Sequence, residues 1–105
     1  VATNNVLNPF TPFGDCSLLR MANLYANVLQ LDPGGFDACL DLVTVSAAKL
    51  MNIPGYGVAV GNPADLVVLD AASRADSLAE IAPVLAAYKN GRRTFRRERT
   101  RIERV

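Results

Sequence analysis

With 105 residues, 50% of them hydrophobic, and a net charge of +1, the chain has the size and apolar content of one small folded domain, not of a disordered protein. It contains no run of ~20 apolar residues for a membrane helix and no signal segment, so we expect a cytoplasmic protein without a membrane partner. Residues 88–105 carry a net charge of +6 and residues 1–87 a net charge of −5; because both signs lie on one chain, we expect no nucleic-acid partner.

Residues 1–14 are predicted to form an ordered loop. Asparagine, proline and glycine are frequent there and disfavour regular structure, while Phe10 and Phe13 are expected to anchor the loop by packing. Asn8 is interpreted as a turn-forming residue, since asparagine side chains bond readily to nearby backbone groups.

Two helical regions are predicted after this loop. Asp15 or Ser17 is expected to cap the first helix, which DPGG at residues 32–35 ends. The second region spans residues 36–51, with a break near Thr44 where the sequence VTV is β-branched. Residues at three- and four-residue spacing are expected to form a single apolar face on the first helix: Leu18, Met21, Ala22, Tyr25, Val28 and Leu29.

The remaining sequence predicts three strands and a short helix. The apolar run ADLVVLD at residues 64–70 is bounded by turn residues and is typical of a buried strand. A short helix is expected at about residues 76–81. Residues 84–89 and 92–99 flank the dipeptide Asn90-Gly91, which tolerates the positive φ angles of a tight hairpin.

Residues that carry chemistry are sparse. The chain has no histidine and only scattered carboxylates, so its residues form no constellation for a catalytic zinc or a histidine general base. Asp65 and Asp70 are interpreted as strand ends, roughly 16 Å apart on opposite faces. Cys16 and Cys39 lack the spacing of a Cys-x-x-Cys pair and lie in apolar helical patterns, which predicts two buried free thiols.

The order of three segments resembles the end of many metal-dependent amidohydrolases. These segments are TVSAAKLM at residues 44–51, GNPADLVVLD at residues 61–70 and KNGR at residues 89–92. The opening NNVLNPFTPFG, residues 4–14, is similar to the loop after the eighth barrel strand in cytosine deaminases and related N-heterocycle aminohydrolases.

This resemblance implies roles for three residues. Asn4 stands where the family has a metal-site aspartate that handles a proton of the attacking water, and an amide cannot act as that base. Asn5 matches a position near the substrate ring, and Phe10 matches an aromatic position at the pocket wall. Turn formation is the competing interpretation of Asn4 and Asn5, and core packing that of Phe10.

The implied fold is α/β, the C-terminal part of a (β/α)8 amidohydrolase barrel with strands of the accessory β-sandwich. Residues 1–57 would form the last barrel loop and helices, and residues 58–105 the sandwich strands with the hairpin and basic end. The implied reaction is hydrolysis of a non-peptide C–N bond of a cyclic amidine. Zinc or iron is implied in the full-length enzyme; we expect no cofactor in this chain alone, and no activity.

Two other functions stay open at this point. In the first alternative the chain is a noncatalytic structural or interaction module that has lost its barrel, and in the second it is the complementing chain of a split amidohydrolase. Because the chain begins at Val1, inside a segment that is predicted to be ordered, we expect it to be a piece of a longer protein. Its expected partner is the missing barrel portion or a second copy, and a small N-heterocycle is expected to bind only in an assembled enzyme.

Overall fold

The structure, a computed structural model, describes residues 1–3 and 6–103, so the predicted site residues Asn4 and Asn5 lie outside the described residues. No helix in these ranges is long and apolar enough to cross a membrane. Within these ranges, three strands form an antiparallel sheet in which the strand order follows the chain order. The elements in chain order are α1 (Leu18–Val28), a 3-10 turn (Pro33–Gly35), α2 (Phe36–Leu42), α3 (Val45–Leu50), β1 (Leu66–Leu69), α4 (Arg74–Ala79), β2 (Val84–Lys89) and β3 (Arg92–Arg96).

Local side-chain bonds account for the helix boundaries. The hydroxyl of Ser17 accepts the backbone N–H of Arg20 at 3.2 Å and so begins α1, as predicted. The predicted break near Thr44 separates α2 from α3. The last helix starts at Arg74, earlier than predicted, because the hydroxyl of Ser73 accepts the N–H of Asp76 at 3.0 Å.

The hydrophobic core lies among α1, α2 and α4. Its buried residues are Ala22, Ala26, Cys39, Leu40 and Leu78, and Leu19, Phe36 and Val43 pack against them. The helix α1 thus reaches this core mainly through alanines, whose small side chains allow the neighbouring helices to approach closely.

The described residues cover only part of the predicted apolar face of α1. Leu18, Tyr25, Val28 and Leu29 are exposed, although the sequence pattern groups them with the buried Ala22. The described residues therefore bury the side of this apolar face that carries Ala22 and Ala26 and leave the rest of it uncovered.

No side chain on the three strands is buried, whereas the helices contain buried residues. The successive residues Val67 and Val68 point to opposite faces and are 63% and 46% exposed. A small sheet needs an apolar face packed against another layer to be stable. The described residues supply such a layer on neither face.

Both cysteines are free, as predicted, but only Cys39 is buried. Cys16 is exposed and precedes the cap of α1 with a φ of 58°, so it lies outside the helix and its predicted burial is wrong. The last strand also ends earlier than predicted, at Arg96.

Candidate functional site

The candidate site is the loop before α1, at residues 6–14 among those the structure describes. Asn8 and Thr11 are joined by two backbone hydrogen bonds of 3.1 Å, which close a tight turn over Pro9 and Phe10. The carboxamide oxygen of Asn8 accepts the N–H of Phe10 at 3.0 Å and the N–H of Thr11 at 2.8 Å. Asn8 is therefore turn-forming, as predicted, and it fixes the turn from within.

The aromatic rings of this loop do not anchor it. Phe10 is 92% exposed at the tip of the turn, and Phe13 is 72% exposed, so the predicted anchoring by packing is wrong for the described part of the chain. The reason is that no other described element lies over the loop. The exposed ring on a hydrogen-bonded turn is an available surface for a ligand or for another part of an assembled protein.

The end of the loop is fixed to the start of α1. Gly14 has a φ of +116°, and a Cβ at this position would lie 2.8 Å from a side-chain carbon of Val6, so glycine is required where the loop closes. Asp15 forms a 2.8 Å ion pair with Arg20 and accepts the N–H of Ser17 at 3.0 Å. Arg20, followed by this N–H, lowers the pKa of Asp15 below its ordinary value.

These groups supply binding surface but no acid–base machinery. The Asp15 carboxylate is held by Arg20, so it serves the loop as an anchor. Across residues 1–3 and 6–103, no group of His, Cys, Asp and Glu side chains is arranged to hold a metal ion. Because the sequence also lacks histidine, the residues present do not fit a catalytic zinc or iron site.

A second group of polar contacts lies at the hairpin, where the sequence shows only a strand end. The carboxylate of Asp65 accepts the N–H of Asn90 at 2.8 Å and forms an ion pair with Lys89. Lys89, and then the N–H of Asn90, lower the pKa of Asp65 below its ordinary value. The backbone bond from Gly91 to Ala64, at 3.0 Å, completes this anchor. The role of Asp65 is structural. The sequence signal for this role is that Asp65 lies just before β1, whose partner strand β2 leads into the turn Asn90-Gly91.

Two cavities lie away from the turn that carries Phe10. One of about 240 Å³ is beside α1 and is lined in part by Asn23, Asn27 and Gln30. The amides of Asn23 and Asn27 already donate to the carbonyls of Leu78 and Asn23, each at 2.9 Å. The other, of about 370 Å³, lies along residues 57–66. Neither has a titratable side chain in its lining, so neither offers catalytic groups.

Comparison with known proteins gives relatives for most of this chain, although no protein-family model matches it. Pterin deaminase of Rhizobium rhizogenes is 36% identical over 72 residues, covering 68% of this chain and 16% of that protein. N-isopropylammelide isopropyl amidohydrolase of Pseudomonas sp. is 30% identical over 93 residues, covering 87% of this chain and 23% of that protein.

The chain also matches solved structures of related enzymes. The structure of 5-methylcytosine deaminase from Klebsiella pneumoniae liganded with 5-fluorocytosine matches at a TM-score of 0.85 and 29% identity, over 93% of this chain and 24% of that chain. The homologues of this chain are amidohydrolase-family deaminases of N-heterocycles. N-isopropylammelide isopropylaminohydrolase from Burkholderia multivorans matches at 0.79 and 26% identity, over 85% of this chain and 23% of that chain.

The resemblance to N-heterocycle amidohydrolases is thus confirmed, and the structural match falls in the C-terminal part of those enzymes. The described part of the chain combines helices with a three-stranded antiparallel sheet, and its structural neighbours have the amidohydrolase fold. It spans at most 24% of the length of these relatives.

Proposed function

We propose that the chain forms the C-terminal part of an amidohydrolase that hydrolyses a non-peptide C–N bond of a cyclic amidine. The observation that carries this proposal is the match of 93% of the chain, at a TM-score of 0.85, to part of a 5-methylcytosine deaminase structure that contains 5-fluorocytosine. The other relatives are named for a pterin and for N-isopropylammelide. Since all three names denote nitrogen heterocycles, a small N-heterocycle is the proposed substrate class.

In this proposal residues 1–57 form the last unit of a (β/α)8 barrel with its following helices, and residues 58–105 form strands of the accessory β-sandwich. The uncovered apolar face of α1 supports it, because the outer helices of a barrel bury one face against the strands. The sheet supports it as well, because a sandwich covers a sheet with a second one. The missing barrel portion is the proposed partner.

The proposed contribution to an active site comes from the loop before α1, since barrel enzymes place their catalytic loops at the C-terminal ends of the strands. Phe10 would form part of the pocket wall, and Asn5 would lie near the substrate ring. The exposed, hydrogen-bonded turn at Phe10 supports the first role. Asn4 would occupy the metal-site position without a carboxylate.

We propose further that the chain has no activity alone. Any zinc or iron would have to be held by residues outside this chain, because the chain has no histidine. The amide of Asn4 also cannot take a proton from an attacking water as a carboxylate does. These two observations equally support a noncatalytic module, and the second chain of a split enzyme is consistent with the first.

The test combines the chain with a barrel that lacks the matched part. The K. pneumoniae 5-methylcytosine deaminase would be truncated before its matched C-terminal segment and mixed with the unaltered chain or with Asn4→Asp. Metal content and ammonia release from 5-methylcytosine would be measured for each chain alone and for each mixture. Asn90→Asp is the matched control, because it makes the same chemical change in the hairpin, where Asp-Gly is also tolerated.

We expect no stoichiometric zinc or iron and no ammonia from the chain alone. The mixtures should release ammonia, and faster with Asn4→Asp than with the unaltered chain or with Asn90→Asp. Equal activity of the mixtures with the unaltered chain and with Asn4→Asp would show that the amide of Asn4 does not limit the reaction. If the Asn4→Asp chain binds the truncated barrel and the complex stays inactive, the noncatalytic module is favoured. One tightly held zinc on the isolated chain would contradict the proposal.

A further inference from the structure

We propose that the free edge of β3 binds an acidic polypeptide strand that is not part of these 105 residues. The strand β3 is last in the order β1-β2-β3, so its outer backbone groups have no strand partner within the described residues. Such an edge accepts an extended segment through main-chain hydrogen bonds. The side chains along this edge indicate which kind of segment fits.

Two arginines of β3 lie on one face of the sheet, which we call the first face. The register pairs Arg96 with Ala86 and Arg93 with Tyr88. Because Ala86 and Tyr88 are two positions apart in β2, they share a face, and cross-strand partners share it with them. Arg93 and Arg96 therefore lie on the same side of the sheet, with the irregularity of the register between them.

Arginines also stand on the second face. Phe95 pairs with Ala87, and Arg92 pairs with Lys89, which places Phe95 and Arg92 opposite the first pair. The guanidinium of Arg97 lies 5.5 Å from the centroid of the Phe95 ring, so Arg97 is on this second face too. The edge thus carries a pair of arginines on either side, and we call these four residues the edge arginines.

No acidic residue of the described chain neutralises the edge arginines. Its salt bridges use other cations, namely Arg20, Arg74, Lys89 and Arg99. All four edge arginines are exposed. A partner that brings carboxylates to both faces would form ion pairs that this chain does not form with itself.

The strands of a second copy of the chain do not supply these carboxylates. The three strands read LVVL, VLAAYK and RRTFR, without an acidic residue. Pairing β3 with the same strand of a second copy would bring arginines against arginines, and like charges across strands are destabilising.

Nucleic acid and anionic membranes fit this edge less well than a strand does. A phosphate backbone or a lipid surface approaches from one side, whereas the arginines are divided between two faces. The aromatic side chain of β3, Phe95, is 40% exposed and has Arg97 over its ring, so it is no free platform for stacked bases. An added strand alternates its side chains and so presents carboxylates to both faces.

The experiment compares two acidic peptides of about six residues, a typical strand length, with glutamates on both faces. In the control peptide alternate backbone nitrogens are methylated, which keeps the charge and removes the donors that strand addition needs. Binding to the 105-residue chain would be measured by fluorescence anisotropy, and protection of the β3 amides by hydrogen exchange. We expect protection with the unmodified peptide, and binding of the methylated peptide weaker by about ten-fold or more.

Charge reversal then tests the two faces separately. Arg96→Glu changes the first face and Arg97→Glu the second, and each should weaken peptide binding, whereas Lys49→Glu on α3 is a matched control that should not. Circular dichroism of each variant checks that the sheet is retained. Equal binding of both peptides, or of an oligonucleotide or anionic vesicles as tight as the peptide, would overturn the proposal in favour of general polyanion attraction. Absence of peptide binding at low salt would overturn the proposal. The edge arginines would then serve only to prevent aggregation through the free edge of β3.

Discussion

At the hairpin turn, the positive φ angle of the backbone explains why position 91 is glycine. Asn90 and Gly91 have φ angles of 48° and 74°, both positive, as a two-residue hairpin turn requires. A Cβ on Gly91 would meet only the Cβ of Ala64, at 3.9 Å, so the demand for glycine here is conformational and not one of space. Gly91→Val should lower the free energy of unfolding by about 1–3 kcal/mol, because a β-branched residue is strained at positive φ.

Urea unfolding followed by circular dichroism measures this change. Gly91→Asn is the matched variant, since asparagine tolerates left-handed backbone better than valine, and it should lose less stability. Equal midpoints for the Val and Asn variants would show that the backbone at this position is not held in the turn.

Asp65 links the stability of the hairpin to pH. Lys89, and then the N–H of Asn90, hold the pKa of Asp65 below its ordinary value of 3.8. A carboxyl whose pKa is lowered by folding stabilises the folded chain above that ordinary value, and the contribution is lost as pH falls through the lowered pKa. Asp65→Asn should therefore reduce stability at neutral pH and remove part of the loss seen on acidification below 3.8.

Unfolding midpoints measured from about pH 7 to pH 2 test this expectation. Asp32→Asn serves as the control, because Asp32 is exposed and has no salt bridge among the described residues. Its profile should follow that of the unaltered chain. The expectation fails if Asp65→Asn shows that same profile.

Between elements, the stability of the helical layer depends on α4 and its contact with α1 and α2. Leu78 is fully buried in the cluster with Ala22 and Cys39, and the amide of Asn23 donates to the carbonyl of Leu78 at 2.9 Å. Leu78→Ala should cost about 2–5 kcal/mol, the range for a leucine removed from a packed core.

Leu50→Ala makes the same substitution at a residue of α3 that is 85% exposed, and it should change stability by no more than about 0.5 kcal/mol. Both variants are compared by urea denaturation, and a Leu78→Ala chain that no longer unfolds cooperatively meets the expectation. Similar losses in the two variants would show that the α1, α2 and α4 cluster is not the stabilising core.

For the whole molecule, the uncovered apolar surface predicts association of the isolated chain. Burial of apolar surface stabilises by about 25 cal/mol per Å², so several hundred Å² favour association by several kcal/mol before the entropy loss is subtracted. This association should persist near 1 M salt, where the screening length is about 3 Å, because it does not depend on charge. Exposed apolar residues that contribute to this surface include Leu18, Leu24, Val28, Leu29, Leu50, Val67 and Val68.

Sedimentation at low and high salt measures the expected behaviour. Val28→Asp, on the uncovered face of α1, should reduce association, whereas Val60→Asp, in the loop before β1, is a control at a valine that is even more exposed. A monodisperse monomer under both conditions would contradict the uncovered-face explanation. Dissociation only at high salt would assign the association to the basic end and the acidic part of the chain.

The sequence by itself determined the order and the type of the elements, and it indicated the resemblance to amidohydrolases. The cap at Ser17, the break near Thr44 and the turn at Asn90 are local signals, because each depends on residues close together in the chain. The resemblance to amidohydrolases is equally visible without coordinates, and the relatives confirm it.

Only the tertiary structure decided which surfaces meet. Periodicity shows that α1 is apolar but not which of its faces another element covers, so it did not separate the buried Ala22 from the exposed Val28. The exposure of Phe10 and the bond between Asp65 and Asn90 likewise depend on packing or contacts between segments far apart in sequence. Such contacts are set by the way the chain folds back on itself, and local spacing does not encode that.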